Sequence, residues 1–384
     1  MIYFDQAASS FPKPLEVTEA MVKVMNECGA NPGRGGHALA RQAATYIDQT
    51  RMKAASIFGC SDPKKALFYH NATVALNQAI KGLQWQKGDH IIATAFEHNS
   101  IRRPLEHIKN KYGVRVTYLK WRGSKTAFTQ DVAQAIQPET KLIAMTHASN
   151  VTGTLMPLTE IMELAKRNHI LTLVDASQTA GHLSINMKAQ GIDMLAFPGH
   201  KGLLGPQGTG MLLVEGDIEL EPIHHGGTGS FSESPNQPEQ WPEKLESGTL
   251  NTPGIAGLYE AFCIYEQRKD ENVPRETILA KQLYQGLTKI AGVACYGPDE
   301  NEQRMPIVAF NVANVDSQEI AMILDSHYNI AVRAGLHCSP LTHEVLETTN
   351  QGIVRASLSI YNTEKEVTSF LEAIAEITAA YSEF

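Results

Sequence analysis

The sequence predicts an α/β chain: a mainly parallel sheet with helices on both faces, joined to a smaller α+β unit. Two observations carry that class. From about residue 64, apolar runs of strand length alternate with helical stretches, as in βαβ units whose strands are covered on both sides. After residue 255 the alternation gives way to a mixed order of strands and helices that closes on one long helix.

The elements follow in order. Ala66 to His70 is short, apolar and aromatic, hence a strand, and Val74 to Leu83 spaces its apolar residues as a helix. His90 to Thr94 is the next strand and Ser100 to Lys111 the next helix. Strands follow at Val114 to Leu119, Leu142 to Thr146, Leu171 to Val174 and Met194 to Phe197, with Leu158 to Arg167 as a crossover helix. Gly208 to Val214 comes too soon after Phe197 for a crossover, which predicts an antiparallel strand. Residues 226–253 are rich in Gly, Ser, Pro, Glu and Asn, and a connection of that length reads as a functional or interface loop. A helix near Ile255 to Arg268 leads to strands at Ile307 to Val312, Ile330 to Ala334 and Ile353 to Ile360. Helices are expected at Ser317 to Asp325 and from Glu364 to about Tyr381. The expected division puts residues 16–254 in a large domain and residues 1–15 with 255–384 in a small one.

Composition narrows the function. At 384 residues the chain exceeds one average core. Its 43% hydrophobic and 19% charged residues suit a globular protein. A net charge of −8, a pI near 6.0 and the lack of a basic run argue against nucleic-acid binding. The N-terminus lacks the pattern of a secretory signal, and no stretch approaches the roughly 20 apolar residues that span a membrane. Cys28, Cys60, Cys263, Cys295 and Cys338 are scattered, without metal-ligand or disulfide spacing, and point to a reducing cytoplasm. His224 and His225 lack a second ligand pair, so no metal is expected.

The chemistry concentrates at predicted strand ends. One apolar run closes on Asp175, before Ala176-Ser177-Gln178; the next, Ile192 to Phe197, leads to Pro198-Gly199-His200-Lys201. Adjacent strands would deliver a carboxylate and an amine to one end of the sheet. Either residue alone reads equally well as a cap or turn. Together they suit pyridoxal phosphate, where a lysine forms the Schiff base and an acid keeps the pyridinium nitrogen protonated. Asn71-Ala72-Thr73 opens a helix after a strand, a ready anion site or a plain cap. His98 and Asn150 follow two further strands, where ligands of open α/β sheets collect, and His98 could lie on a cofactor ring, serve in proton transfer or be a structural residue. In the C-terminal part, Cys338 sits in a turn-like run beside His337 and near Arg333, where positive charge favours a thiolate. Arg355 interrupts an apolar strand, suiting either capture of a carboxylate or a structural ion pair.

With these residues in view, the chain resembles the class V aminotransferases of the type I pyridoxal-phosphate fold. The branch is that of the cysteine desulfurases and selenocysteine lyases. The likeness runs from Tyr3-Phe4-Asp5-Gln6-Ala7-Ala8 to Arg355 through Thr363, and Arg333 through Cys338 is similar to the type II persulfide motif. The resemblance implies a seven-stranded sheet and a homodimer acting on L-cysteine. Lys201 would carry the cofactor and move the α-proton, Asp175 would meet the ring nitrogen, and Gln178 the ring hydroxyl. His98 would stack on the ring with Asn150 beside it. Ala72, Thr73 and His200 would hold the phosphate, and Thr249 would reach the phosphate of the neighbouring subunit. Arg355 would bind the substrate carboxylate. Cys338 would take the sulfur as a persulfide and pass it to an acceptor, a carrier protein or a small thiol. Selenocysteine, or another amino acid handled by a lyase, epimerase or aminotransferase that does not use the cysteine, is the implied alternative. Three departures stand out: Pro198 where the family often has serine, Asn71-Ala72-Thr73-Val74 at the first phosphate turn, and Leu336 for a frequent histidine.

Overall fold

The computed structural model describes residues 1–33, 36–313 and 315–382. Its strands are β1 (Ile2–Tyr3), β2 (Ala66–Tyr69), β3 (His90–Thr94), β4 (Arg115–Leu119), β5 (Thr140–Thr146), β6 (Leu171–Asp175), β7 (Met194–Pro198), β8 (Gly210–Val214), β9 (Val293–Tyr296), β10 (Ile307–Val312), β11 (Ile330–Ala331), β12 (Arg333–Gly335) and β13 (Ile353–Ser357). Its helices are α1 (Leu15–Glu27), α2 (Ala38–Phe58), α3 (Ala72–Gly82), α4 (Asn99–Tyr112), α5 (Lys125–Ala135), α6 (Leu158–Arg167), α7 (Met187–Gln190), α8 (Thr252–Leu287), α9 (Ser317–Tyr328), α10 (Pro340–Val345) and α11 (Glu364–Ser382).

Seven strands form the large sheet in the order β2-β8-β7-β6-β5-β3-β4. The pairs from β7 through β6, β5 and β3 to β4 are parallel, and β8 runs antiparallel to both neighbours, as its short connection required. Separate apolar cores line its faces: one includes Ile92, Ile143, Val174, Leu195 and Phe197, the other Ile91, Leu142, Leu173, Met194 and Ala196. Neighbouring residues of one strand thus enter opposite cores, which is why these strands read as continuous apolar runs. The order of the parallel strands sends His98, Asn150, Asp175 and Lys201 out from one end of the sheet.

A second sheet, β12-β13-β10-β9, has its own core with Phe4, Phe310, Val354 and Phe370. The N-terminal segment joins it: β1 pairs with β11, and the Asp5 backbone bridges to Ser357. Two expectations need correction here. The strand foreseen at 330–334 is two, since Ile330–Ala331 pairs with β1 and Arg333–Gly335 with β13. The helix foreseen near 255–268 continues to Leu287. Its charged stretch after Arg268 has no apolar period to signal helix, while Leu279, Ala280, Leu283 and Leu287 bury themselves in the small core.

The long connection contains no helix or strand from residue 226 to residue 251, where α8 takes over. It is fastened at Glu246, whose two oxygens accept from Arg51 at 2.9 and 2.8 Å and whose Oε1 also accepts from the Phe68 amide at 2.7 Å. Both side chains of the pair are over nine-tenths buried, and the guanidinium stacks on Phe68. Removing one partner strands a buried charge. Glu246→Ala is therefore expected to cost about 3–5 kcal/mol, read as a lower midpoint in chemical denaturation.

Candidate active site

At the C-terminal end of the parallel strands lies a cavity with about 870 Å³ of open space. Its walls include Ala72, Thr73, His98, Asn150, Asp175 and Gln178, together with His200, Lys201, Cys338 and Arg355. Every predicted site residue except Thr249 meets there.

Asp175 ends β6 and is 3% exposed; its Oδ1 accepts from the Ser177 amide at 2.9 Å. Burial pushes the carboxyl up from its ordinary value, while the Ser177 bonds and the Lys201 charge pull it back. Lys201 follows β7, and no direct ion pair among the described residues joins it to Asp175. Enclosure lowers its amine to about 8, against the opposing pull of Asp175. An amine and a carboxylate thus line one cavity without closing on each other.

One end of the cavity is the start of α3. Asn71 caps it by accepting from the Val74 amide at 3.0 Å, which leaves the Ala72 and Thr73 N–H groups at the open terminus. Gly210 lies directly behind, and a Cβ there would come within 2.5 Å of the Asn71 carbonyl carbon. Thr73 Oγ1 touches Ser100 Oγ at 2.7 Å, and Ser100 Oγ lies 2.8 Å from His98 Nδ1. The Ser100 amide also donates to Nδ1, so that nitrogen is the acceptor and the ring proton sits on Nε2. Burial and nearby cations lower His98 to about 4, keeping the ring neutral. His200 contacts Ser9 Oγ at 3.2 Å, and Gln178 donates to the Ala7 carbonyl.

Beneath His98 lies Glu97, wholly buried. Its Oε1 accepts from the Thr94 amide, the Thr94 hydroxyl and the Thr146 amide, tying the end of β3 to the end of β5. Desolvation pushes this carboxyl up to about 8, so it is neutral at pH 7 and adds no charge beside Asp175.

Cys338 is exposed at the cavity, with Arg333 Nη2 4.0 Å from its sulfur. His337 and Cys338 both have left-handed backbones, φ 48° and 58°, costly for residues with a Cβ. The turn is held by three bonds. The Asn99 amide donates to the Cys338 carbonyl, Asn150 Nδ2 donates to the His337 carbonyl, and Ser339 Oγ donates to Asn150 Oδ1. Asn150 therefore spends both ends of its amide on the cysteine turn. Arg355 is 1% exposed; Nη1 donates to the Asn150 carbonyl and Nη2 to Asp5 Oδ1, each at 2.8 Å.

Thr249 lies elsewhere, exposed in a surface groove with Asn31, Arg51, Gly227 and Glu246. Reasoning from sequence overlooked Asp5, Ser100 and Ser339. Asp5 lies just past a two-residue strand, and the serines look like ordinary turn residues; only their spatial partners give them roles.

The class-V aminotransferase family model matches residues 2–370. The chain belongs to that family. Among the relatives of the chain is a probable cysteine desulfurase of Methanothermobacter thermautotrophicus, 35% identical, the match covering 98% of this chain and 94% of that one. Another is the cysteine desulfurase IscS of Dictyoglomus turgidum, 31% identical over 98% and 94% of the two chains. The apo structure of a cysteine desulfurase from Thermococcus onnurineus NA1 superposes with a TM-score of 0.93 at 32% identity, covering 99% of this chain and 95% of that one. The family depends on pyridoxal 5′-phosphate. The residues present fit it: a helix start with open amides, a buried carboxylate and an amine of lowered basicity share one cavity of sufficient size. No helix among the described residues is long and apolar enough to cross a membrane.

Proposed function

We propose that this class-V aminotransferase is a pyridoxal-phosphate-dependent cysteine desulfurase that converts L-cysteine to L-alanine and keeps the sulfur on Cys338. The observation that carries the reading is the company Cys338 keeps: its thiol opens on the cavity that Lys201, Asp175 and Arg355 also line. Ala72, Thr73 and His200 would hold the phosphate, Asp175 and Gln178 would face the ring, and Lys201 would anchor the cofactor. Bound there, the cofactor supplies an electron sink that loosens the bonds of the substrate α-carbon.

The chain's own groups do the rest. Arg355 takes the substrate carboxylate, and Asn150 keeps the cysteine turn in place. Lys201 Nζ accepts the α-proton, and His98 presents a neutral Nε2–H to the cavity. The Cys338 thiolate attacks the substrate sulfur. A sulfur–sulfur bond forms as the Cβ–S bond breaks, its electron pair stays with carbon, and Cβ gains a hydrogen in place of sulfur. The persulfide then passes to an acceptor protein or a small thiol.

The assembly is a homodimer in which Thr249 reaches the partner's phosphate; its exposed place at the end of the loop anchored by Glu246 supports this. The division into a unit of residues 16–254 and one of 1–15 with 255–384 is supported by the small core that gathers Phe4, Leu279, Phe310 and Phe370, although Ile255 to Ile264 at the start of α8 pack into the large core. A reducing cytoplasm suits a protein whose five cysteines are free.

Holoenzyme given L-cysteine and a dithiol reductant is expected to release alanine and sulfide in equal amounts. Consumption of the amino acid without alanine would return the reading to a lyase, epimerase or aminotransferase of the same family.

A further inference from the structure

We propose that Asp5 is a positioning residue for substrate recognition: its carboxylate holds the Arg355 guanidinium where the α-carboxylate of the amino acid can meet it. The inference rests on Arg355 being the carboxylate site proposed above.

Arg355 is buried almost completely, and Asp5 is its one carboxylate partner among the described residues. Arg333 stands directly opposite Arg355 in the pairing of β12 with β13, so a second cation crowds the first. Without Asp5, the buried guanidinium would face repulsion with no neutralising charge. Asp5 supplies that charge with a single oxygen on a single nitrogen, Nη2. Nη1 donates to the Asn150 carbonyl, and Nε has no partner at all. Two of the five guanidinium N–H groups are thus engaged, and the grip on Arg355 does not exhaust its donors.

The place of Asp5 is set by the backbone on either side. The Ser357 amide donates to the Phe4 carbonyl, the Gln6 amide to the Ser357 carbonyl, and the Ala7 amide to Ser357 Oγ. These bonds stitch residues 4–7 along the strand that carries Arg355, two positions from it. They do not involve the Asp5 side chain, so replacing that side chain leaves the stitching intact. The carboxylate is also partly exposed, at 22%, whereas the guanidinium it holds is sealed. A carboxylate arriving from the cavity therefore meets a cation already oriented and already neutralised, and need not meet the cost of orienting it.

The test uses holoenzyme of the wild type, of Asp5→Ala and the near-isosteric Asp5→Leu, which both lack the acceptor, and of Asp5→Asn, which keeps it. Ala and Leu variants are expected to raise KM for L-cysteine at least tenfold with kcat within about threefold, and Asn, which keeps the acceptor without the charge, to raise KM by less than either. With L-cysteinamide, which has no carboxylate, all four proteins should have kcat/KM within about twofold. Calorimetric titration with L-alanine and L-alaninamide gives the same contrast without turnover. A fall in kcat with KM unchanged, an equal loss on L-cysteinamide, or an Asn variant no better than Ala would overturn the role. If the wild type makes no alanine from cysteine, the desulfurase reading fails by itself. The calorimetric contrast between L-alanine and L-alaninamide then still decides whether Asp5 positions the carboxylate site.

Discussion

Replacing Lys201 with alanine is expected to abolish covalent capture of the cofactor, seen as loss of its visible absorbance band, and to lower kcat by ~10³-fold or more. A loss of that size corresponds to a barrier about 4 kcal/mol higher. The expectation is large because the proposed function gives one amine two tasks, anchoring the cofactor and accepting the α-proton. Its protonation also fixes a pH signature. Only the free amine reacts with an aldehyde, and enclosure lowers the Lys201 ammonium to about 8. At pH 7 roughly a tenth of the protein then carries a free amine, against a few parts in ten thousand for an ordinary lysine. Capture of pyridoxal phosphate by the cofactor-free protein should therefore quicken about tenfold between pH 7 and pH 9, and level off above. A rate that keeps rising tenfold per pH unit to pH 10 would show that Lys201 is an ordinary lysine, contrary to its place in the cavity.

Cys338→Ser is the second large effect. The variant should keep the cofactor and its absorbance, because none of the three bonds that hold the turn uses the Cys338 side chain. Turnover of L-cysteine should fall by ~10³-fold, since a serine hydroxyl, scarcely ionised near neutral pH, replaces the sulfur nucleophile. Trapping with an alkylating reagent after a single turnover should find the extra sulfur on residue 338 of the wild type and none on the variant. Selenocysteine provides the contrast: selenium leaves more readily, so the variant should lose far less of that activity. Undiminished conversion of L-cysteine by Cys338→Ser would end the persulfide mechanism while leaving the cofactor chemistry of Lys201 and Asp175 in place.

Much of the fold was legible because burial on both faces leaves a plain mark in a sequence. Residues 90–94, 158–167 and 307–312 end where periodicity placed them. The antiparallel run of Gly210–Val214 followed from the shortness of its connection alone. The misses also have causes. The N-terminal helices Leu15–Glu27 and Ala38–Phe58 mix exposed Leu15, Val22, Met25 and Met52 with buried positions, which blurs their apolar faces. The helix beyond Arg268 is held by tertiary packing rather than by its own pattern. Val332, between two short strands, marks a change of sheet that no local signal announces.

The chemistry divides in the same way. Asp175 and Lys201 were legible because each follows an apolar strand at once, and parallel neighbours must bring their C-terminal ends together. Cofactor type and the site's end of the sheet were therefore written in the chain. Asp5 lies 350 positions from Arg355, and Ser339 lies 189 positions from Asn150. Such pairs have no period or spacing to betray them; they exist because two sheets and an N-terminal strand close around one cavity. The same closure lowers the Lys201 amine, raises the Glu97 carboxyl and holds Cys338 in a left-handed turn, since desolvation and strain are properties of surroundings that only the packed molecule has.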